Sequence, residues 1–523
     1  MKRTTLSLIA GATALAAVTG FASLTTPDGP AAPEAKAATR LPVQRAGLVC
    51  PVPSTSEVAE TLYTSYTPPS TIAGTGTGTG MGTGSGAAKG GGSGKTEQPT
   101  AQLRPAVNTT TSGGTAKGGK KAKAPKAPAT VTAPGKPVTA EADGSAAPAL
   151  TGAATGTLAP GWTVQQTTVV PAGGARGLLG LGCGAPDTDF WFPAASTAKE
   201  RQDYVHLTNP DDTAAVVDIE LYGPEGALKS QFTEGIPVPA RSTVPVLLPT
   251  LTGEAAQQDV TVHVSTRSGR IGAAIAAADE KLGSDWLPAA ADPASSVVLP
   301  GIPGDATSVR LVAFVPGDDD ADLKVQLATT SGTIVPAGTD TLHVKSGMTA
   351  FVDLPGLTRG SAGSLLLTPS DPKKPTPVVA ALRVVRGKGA DTEIAFLPAT
   401  APVVARATVA DNRAKGSTLS LTAPGAAAQV KITASAGSGG GTPVSRTVTV
   451  KAGTTQAITD LVPEGLKGSY ALTVEPVSGG KVYASRTLAL PLDGTPMFTI
   501  QTFVDDRGTV EVPAARQDLG VLD

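Results

Sequence analysis

Hydrophobic and polar residues alternate in short runs along the C-terminal two thirds of the chain, for example in residues 215–222, 322–327 and 429–433. A turn that contains glycine follows each of these runs. A period of two with one polar face is typical of half-buried antiparallel strands. Beyond the apolar N-terminal segment, no stretch keeps a helical period with capping residues. The pattern therefore predicts an all-β protein.

The alternating pattern also repeats. Val238, Val344 and Val450 are 106 residues apart and lie in similar contexts. A unit of about a hundred residues with about seven short strands fits an immunoglobulin-like sandwich. We therefore expect three tandem β-sandwich modules, over residues 151–286, 287–396 and 397–500, with a C-terminal hairpin or tail over residues 501–523.

Four apolar-Pro-Ala phrases accompany the repeat and begin at Phe192, Leu287, Leu397 and Val512. Proline fixes φ and removes a backbone donor, so it stiffens a connection between domains. We expect these phrases to mark the junctions between modules and to give a rod or an arc of domains.

The N-terminus has the composition of an export signal over residues 1–38. Lys2 and Arg3 precede an uncharged stretch, and Ala35-Lys36-Ala37 is a small-x-small cleavage pattern. The same stretch is about long enough to remain as a membrane anchor. Either outcome predicts an extracytoplasmic protein.

The chain contains two cysteines, Cys50 and Cys183. In an exported protein, thiols meet an oxidising environment and normally pair. We predict a Cys50–Cys183 disulfide, which connects the N-terminal segment (residues 39–69) to the first module. The alternative is two unpaired buried thiols.

Residues 70–150 are rich in glycine, threonine, lysine and proline. Such a composition buries too little apolar surface to offset the entropy of ordering, so a disordered insert is expected here. Residues 98–140 carry one arginine, six lysines and no acidic residue. This basic stretch predicts association with anionic cell-wall polymers or a membrane surface, and the alternative is a solubilising linker. Nucleic acid is not expected, since the basic stretch lacks aromatic residues.

Candidate site residues are few. Asp187, Asp189 and Trp191 belong to an aromatic and acidic cluster in a chain with 3 % aromatic residues. The cluster is a candidate ligand surface for carbohydrate, and the two carboxylates are a candidate hydrolase pair. The alternative interpretation packs the phenylalanines into the core and places Trp191 over the disulfide.

No other motif predicts chemistry. His206, His263 and His343 lie at ordinary strand positions, and residues 89–96 only approximate a phosphate-binding loop. Asp318, Asp320 and Asp322 have the spacing that opens a calcium loop, but the later ligand positions do not match, which favours a polar turn. We therefore expect no catalytic residue, no metal site and no cofactor.

Two segments resemble known sequences. Leu207-Thr208-Asn209-Pro210 before an alternating strand is similar to immunoglobulin-like modules of bacterial surface proteins. Cys50-Pro51-Val52-Pro53, and residues 182–192, resemble an uncharacterised family of secreted proteins from high-G+C Gram-positive bacteria. The resemblance implies compartment and fold class only. The expected function is a non-enzymatic scaffold or adaptor of the cell envelope, and the alternative is a carbohydrate-binding accessory protein.

Overall fold

The computed structural model describes residues 39–69, 99–108, 129–232, 234–253 and 255–512. These residues form 39 β-strands and two short 3-10 helices, with no α-helix, so the predicted all-β class is confirmed. No helix in this part of the chain has the length and hydrophobicity needed to cross a membrane. The predicted signal or anchor, residues 1–38, lies outside the described residues.

Strand β1 (Thr39–Pro42) begins the described chain, and the first sandwich follows it. Its strands are β2 (Arg45–Cys50), β3 (Glu60–Tyr66), β4 (Ala101–Pro105), β6 (Thr130–Val131), β7 (Val138–Asp143), β8 (Leu150–Thr155), β9 (Thr163–Val170) and β10 (Gly177–Gly182), with a 3-10 helix at Gly156–Leu158. The intervening strand β5 (Val107–Asn108) instead pairs in parallel with a strand of the second sandwich, Ser242–Leu247.

The second sandwich contains β11 (Asp189–Ala195), β12 (Arg201–Thr208), β13 (Ala215–Gly223), β14 (Gly226–Ala227), β15 (Ile236–Val238), β16 (Ser242–Leu247), β17 (Val260–Ser268), β18 (Gly272–Asp279) and β19 (Gly283–Leu287), with a 3-10 helix at Leu248–Leu251. The third contains β20 (Val297–Ile302), β21 (Ala306–Phe314), β22 (Ala321–Ala328), β23 (Thr333–Ile334), β24 (Thr341–Val344), β25 (Thr349–Asp353), β26 (Gly363–Pro369), β27 (Val379–Arg386) and β28 (Glu393–Pro398).

The fourth sandwich contains β29 (Ala407–Asn412), β30 (Ser417–Ala423), β31 (Ala428–Ala434), β32 (Gly440–Thr442), β33 (Val444–Val450), β34 (Thr454–Ile458), β35 (Glu464–Lys467), β36 (Tyr470–Gly479), β37 (Tyr483–Ala489) and β38 (Phe498–Thr502). The last strand, β39 (Thr509–Val512), pairs with β1 in a two-stranded sheet of its own.

The four sandwiches share one topology. If the eight principal strands of each are counted along the chain, one sheet has the order 1-6-3-4 and the other 5-2-7-8. Within each sandwich the neighbouring principal strands are antiparallel. The three valines of the sequence repeat, Val238, Val344 and Val450, end the fourth principal strand of the second, third and fourth sandwiches and are fully buried.

Each sandwich has an apolar core between its two sheets. In the second sandwich Val205 and Ile275 of one sheet meet Val262 of the other, and in the third Leu311 meets Leu323. The alternating pattern produces this arrangement, because every second side chain of a strand points to the same face.

The last principal strands of the four sandwiches meet one another in a closed cycle: β10 contacts β19, β19 contacts β28, β28 contacts β38, and β38 contacts β10. The first strand of each sandwich also contacts the seventh strand of the next one, and β29 of the fourth sandwich contacts β9 of the first. Residues 42–508 therefore form one ring of sandwiches, which differs from the expected rod or arc.

Apolar side chains tie neighbouring sandwiches together at this ring. Ile394 and Phe396 of β28 belong to the core of the second sandwich. Phe498 and Ile500 of β38 belong in the same way to the core of the third. Because the last strands of the third and fourth sandwiches complete the cores of the preceding ones, these sandwiches are not independent modules.

The structure differs from the sequence prediction between residues 70 and 183. Strands β4, β6 and β7 lie within the range predicted as a disordered insert, and β8 begins at its last residue. Together with residues 39–69 and β9–β10 they build an additional sandwich. Low-complexity stretches separate these short strands in sequence and hide the repeat. Of the predicted insert, residues 70–98 and 109–128 lie outside the described residues.

The apolar-Pro-Ala phrases do not occupy equivalent places. Leu287 ends the last strand of the second sandwich, and Leu397 lies one residue before the end of the last strand of the third, as expected for junctions. The phrase at Phe192 instead lies inside β11, where the pairing register shifts. The same shift recurs in β20 and β29, and the bulge residues Ala194, Gly301 and Asp411 have positive φ. The phrase at Val512 extends beyond the described residues.

Replacing Gly301 by alanine is expected to lower the free energy of unfolding by about 2 kcal/mol. Gly301 has a φ of 82°, and a Cβ there would collide with Ser420 and Ser485 of the fourth sandwich. Gly356→Ala is the control, because Gly356 also has positive φ but open space around it, so the variant should cost only about 1 kcal/mol. Denaturant titration measures both, and equal costs would contradict the clash.

Candidate functional site

The predicted ligand surface lies on β11, an edge strand of the second sandwich. Alternation along the strand places Asp189 and Trp191 on one face and Phe190 and Phe192 on the other. Phe192 is fully buried in the core of the sandwich. Asp187 precedes the strand and accepts a hydrogen bond at Oδ1 from the backbone N–H of Thr188.

Trp191 is 9 % exposed. Its ring stacks on His263 with 3.9 Å between ring centroids, and it lies 5.5 Å from the ring of Phe314 in the third sandwich. Val379 completes this apolar cluster. Trp191 therefore belongs to the contact between the second and third sandwiches and has little surface left to stack on a sugar.

The Cys50–Cys183 disulfide is present, as predicted. Both cysteines pack in the core of the first sandwich with Trp162, whose indole N–H donates to Ser65 Oγ at 2.9 Å. The interpretation that placed Trp191 over this disulfide is wrong, because Trp191 packs against the third sandwich instead.

His263 organises the polar groups on the outer face of this sheet. Its Nε2 lies 2.8 Å from Asp189 Oδ2, and its Nδ1 lies 3.0 Å from Glu220 Oε2. Tyr222 donates its hydroxyl to Glu220 at 3.1 Å, and burial raises the pKa of Tyr222 to about 12, with a smaller contribution from Glu220. Both ring nitrogens are occupied, so this histidine has no free nitrogen for a substrate or a metal.

Sequence reasoning missed His263 and Glu220 as neighbours of Trp191. The three residues are direct cross-strand partners on β11, β17 and β13. The order of these strands in the sheet was the missing information. Strand β17 follows β13 along the chain but lies between β11 and β13 in the sheet. The structure does not join Asp187 to this group.

The other two histidines have unrelated surroundings. His206 is buried, and burial lowers its pKa to about 4. His343 is exposed and lies 2.8 Å from Asp322 Oδ1 and 3.5 Å from Asp320 Oδ2. Of the residues with the calcium-like spacing, Asp318 and Asp320 lie in the turn between β21 and β22, and Asp322 lies in β22. Within the described ranges, no group of three or more histidine, cysteine or acidic side chains is placed to hold a metal ion.

A second polar cluster lies where the last strands of the sandwiches meet. Asp285 of β19 is fully buried and accepts hydrogen bonds from the backbone N–H of Gly180 at 3.0 Å and of Trp286 at 2.8 Å. The hydroxyl of Thr499 in β38 donates to its Oδ2 at 2.9 Å. Burial raises the pKa of Asp285 well above its usual range, although these hydrogen bonds lower it in part. Asp285 therefore connects the first, second and fourth sandwiches.

Glu393 of β28 is the second buried carboxyl group of this region. Its Oε2 lies 3.5 Å from Arg176 Nη2, and neither oxygen accepts a hydrogen bond of regular geometry from the described residues. Burial raises its pKa to about 8, while Arg176 and the backbone amide of Leu178 lower it in part. A Cβ at Gly177 or Gly283 would collide with its carboxylate, so both positions need glycine. The carboxyl group is enclosed and has no face open to a substrate.

Comparison with known families gives one match. Residues 138–460 match the model of a family of unknown function, DUF5719. The chain belongs to the DUF5719 family. No curated protein and no solved structure matches the chain.

The DUF5719 match begins at β7 of the first sandwich and ends after β34 of the fourth. It therefore contains Asp187, Asp189 and Trp191, together with Asp285 and Glu393. The match assigns no activity to any of these residues. In this DUF5719 chain, the two polar clusters hold strands and sandwiches together.

Proposed function

We propose that this DUF5719 chain is a non-enzymatic, extracytoplasmic scaffold or adaptor of the cell envelope, built from immunoglobulin-like sandwiches. The closed cycle of last strands carries the proposal. Because the last strands meet in a cycle and two of them complete the core of a neighbouring sandwich, we expect the ring to be a rigid frame. Rigidity of this kind suits a protein that presents surfaces to partners.

The polar clusters support a non-enzymatic role. A general base needs a free position within hydrogen-bond reach of a substrate. His263 is paired at both nitrogens, and Asp285 and Glu393 are fully buried. Buried carboxyl groups with raised pKa values often indicate active sites, but here no side of either group is open.

The disulfide supports an extracytoplasmic location, because disulfides persist mainly in oxidising compartments. It joins β2, an edge strand of one sheet of the first sandwich, to the residue that follows β10, an edge strand of the other sheet. The export signal or anchor predicted for residues 1–38 supports the same location on sequence grounds.

The proposed partner is an anionic polymer of the cell wall. Residues 98–140 carry seven positive charges and no acidic residue, which favours electrostatic attachment. The carbohydrate-binding alternative rested on Trp191, and the 9 % exposure of this side chain gives it no support.

The test is co-sedimentation of the full chain with purified cell-wall material that is rich in anionic polymers. We expect binding at low ionic strength and its loss at about 1 M salt, where the Debye length falls to about 3 Å. A variant in which five lysines of the basic stretch become glutamine should lose binding at low salt; they are Lys117, Lys120, Lys121, Lys123 and Lys126.

A second variant with five exposed lysines changed to glutamine is the matched control and should bind as the parent does; they are Lys373, Lys374, Lys388, Lys415 and Lys451. Equal loss in both variants would assign binding to net charge alone. Binding that resists salt in all three proteins, or no binding in any of them, would contradict the proposed attachment.

A further inference from the structure

The first and second sandwiches enclose a cavity of about 470 Å³. The first sandwich contributes Leu179 and the loop after Cys50, and the second contributes one face of the sheet that contains β12, β16, β18 and β19. A cavity of this size lies within the range of roughly 300–1,000 Å³ that is typical of small-molecule sites.

The cavity has an exposed rim and a buried floor. Thr55, Gln202 and Pro245 at the rim are exposed to solvent. His206 and Trp286 at the floor are 6 % and 1 % exposed. A molecule can therefore enter from the rim and lose most of its contact with water at the floor.

Two polar atoms at the floor have no partner. His206 Nδ1 and Trp286 Nε1 are buried and make no hydrogen bond within the described part of the chain. The two rings contact each other edge to face, with 5.3 Å between their centroids. Buried polar atoms are nearly always hydrogen-bonded, so each unpartnered atom indicates a place for a missing group.

Among the residues that the structure describes, the cavity lining includes no charged side chain. It consists of apolar residues together with serine, threonine, glutamine, tyrosine and the neutral rings at the floor. A buried ion without a partner of opposite charge is costly. The cavity therefore disfavours charged molecules.

The equivalent junction between the second and third sandwiches is filled. Tyr204 pairs with Ala276 across β12 and β18, and the corresponding pair across β21 and β27 is Arg310 with Arg383. Arg310 extends to Asp259 of the second sandwich, at 2.8 Å. Small alanine in place of a long arginine leaves space open at the first junction, whereas arginine fills the corresponding space at the second.

We propose that this cavity binds a small uncharged molecule with an apolar ring and a carbonyl or hydroxyl oxygen that accepts the indole N–H of Trp286. The aromatic floor packs against the ring, and His206 Nδ1 pairs with a second polar group. This proposal does not depend on the proposed scaffold function.

The probe for the test is Prodan, an uncharged naphthalene that carries a ketone and whose emission shifts to the blue in apolar surroundings. We expect saturable binding of one Prodan per chain with a blue shift. Trp286→Phe keeps the ring but removes the donor and should weaken binding about three- to tenfold. Trp162→Phe is the control, because this indole already donates to Ser65, and it should leave Prodan binding unchanged.

Two cavity-filling variants, Ala276→Leu and Ala278→Leu, should each abolish binding while circular dichroism shows an intact fold. The anionic probe 8-anilinonaphthalene-1-sulfonate should bind at least about tenfold more weakly than Prodan, because the lining has no cation. Prodan binding that survives both filling variants, equal binding of the anionic probe, or no binding at all would each overturn the proposal, the last showing a cavity filled by water only.

Discussion

Replacing Glu393 by glutamine is expected to stabilise the protein more at pH 8 than near pH 4.5. The change in the free energy of unfolding on substitution should be more favourable at pH 8 by up to about 4 kcal/mol. The carboxyl group is fully buried at the meeting point of the last strands, and burial raises its pKa from 4.5 to about 8. Glutamine is neutral at every pH and has nearly the same shape.

The direction of this pH dependence follows from the direction of the pKa shift of Glu393. A raised pKa means that the folded protein holds the proton more tightly than the unfolded chain. The stability that this proton confers is fully present below the unfolded pKa of 4.5 and is lost as the pH rises to about 8. The ionisation of Glu393 should therefore lower the free energy of unfolding of the parent between pH 4.5 and pH 8. Glu393→Gln has no such group and should not show this loss.

Denaturant titrations between pH 4.5 and pH 8 measure the effect as a difference between the two proteins. The difference cancels the contribution of Asp285 to first order, although the two carboxyl groups interact. Glu225→Gln, in an exposed turn, is the matched control and should shift stability by less than about 0.5 kcal/mol. A difference that stays constant with pH would show that Glu393 titrates alike in both states.

Removing the disulfide by Cys50→Ser together with Cys183→Ser is expected to lower stability by up to about 5 kcal/mol. The bond spans 133 residues, and a long loop loses more entropy when it is closed in the unfolded chain. The effect should concentrate in the first sandwich, because both cysteines lie in its core.

Thermal unfolding of the double variant, and of the parent with and without a reductant, measures the loss. Reduced parent and double variant should unfold alike, because the same covalent bond is absent from both. Hydrogen exchange should show reduced protection in β2 and β10 and retained protection in the third sandwich. Unchanged unfolding in both cases would show that the first sandwich holds together by packing alone.

Much of the fold could be predicted from sequence. Alternation is a local property, so the β class and the three equivalent valines at 238, 344 and 450 were readable without a structure. The first sandwich was not, because its strands are short and low-complexity stretches lie between them. Its core shows the difference: Leu103 and Val131 are fully buried, yet both lie within the segment predicted as disordered.

The candidate site, too, could be predicted only in part from the sequence. Sequence singled out Trp191 and Asp189 by composition, and the structure does place them on one face of β11. Their neighbours His263 and Phe314 come from other strands, and Phe314 comes from another sandwich. Strand order and packing between sandwiches decided that Trp191 is buried.

The sequence by itself determined the secondary structure class, the repeat and the cysteine pairing, because these depend on period, spacing and the presence of only two thiols. The tertiary structure alone decided the first sandwich, the cyclic contact of the last strands and the burial of Asp285 and Glu393. These features depend on contacts between residues more than a hundred positions apart, and no local pattern in the chain encodes which distant strand a given edge will meet.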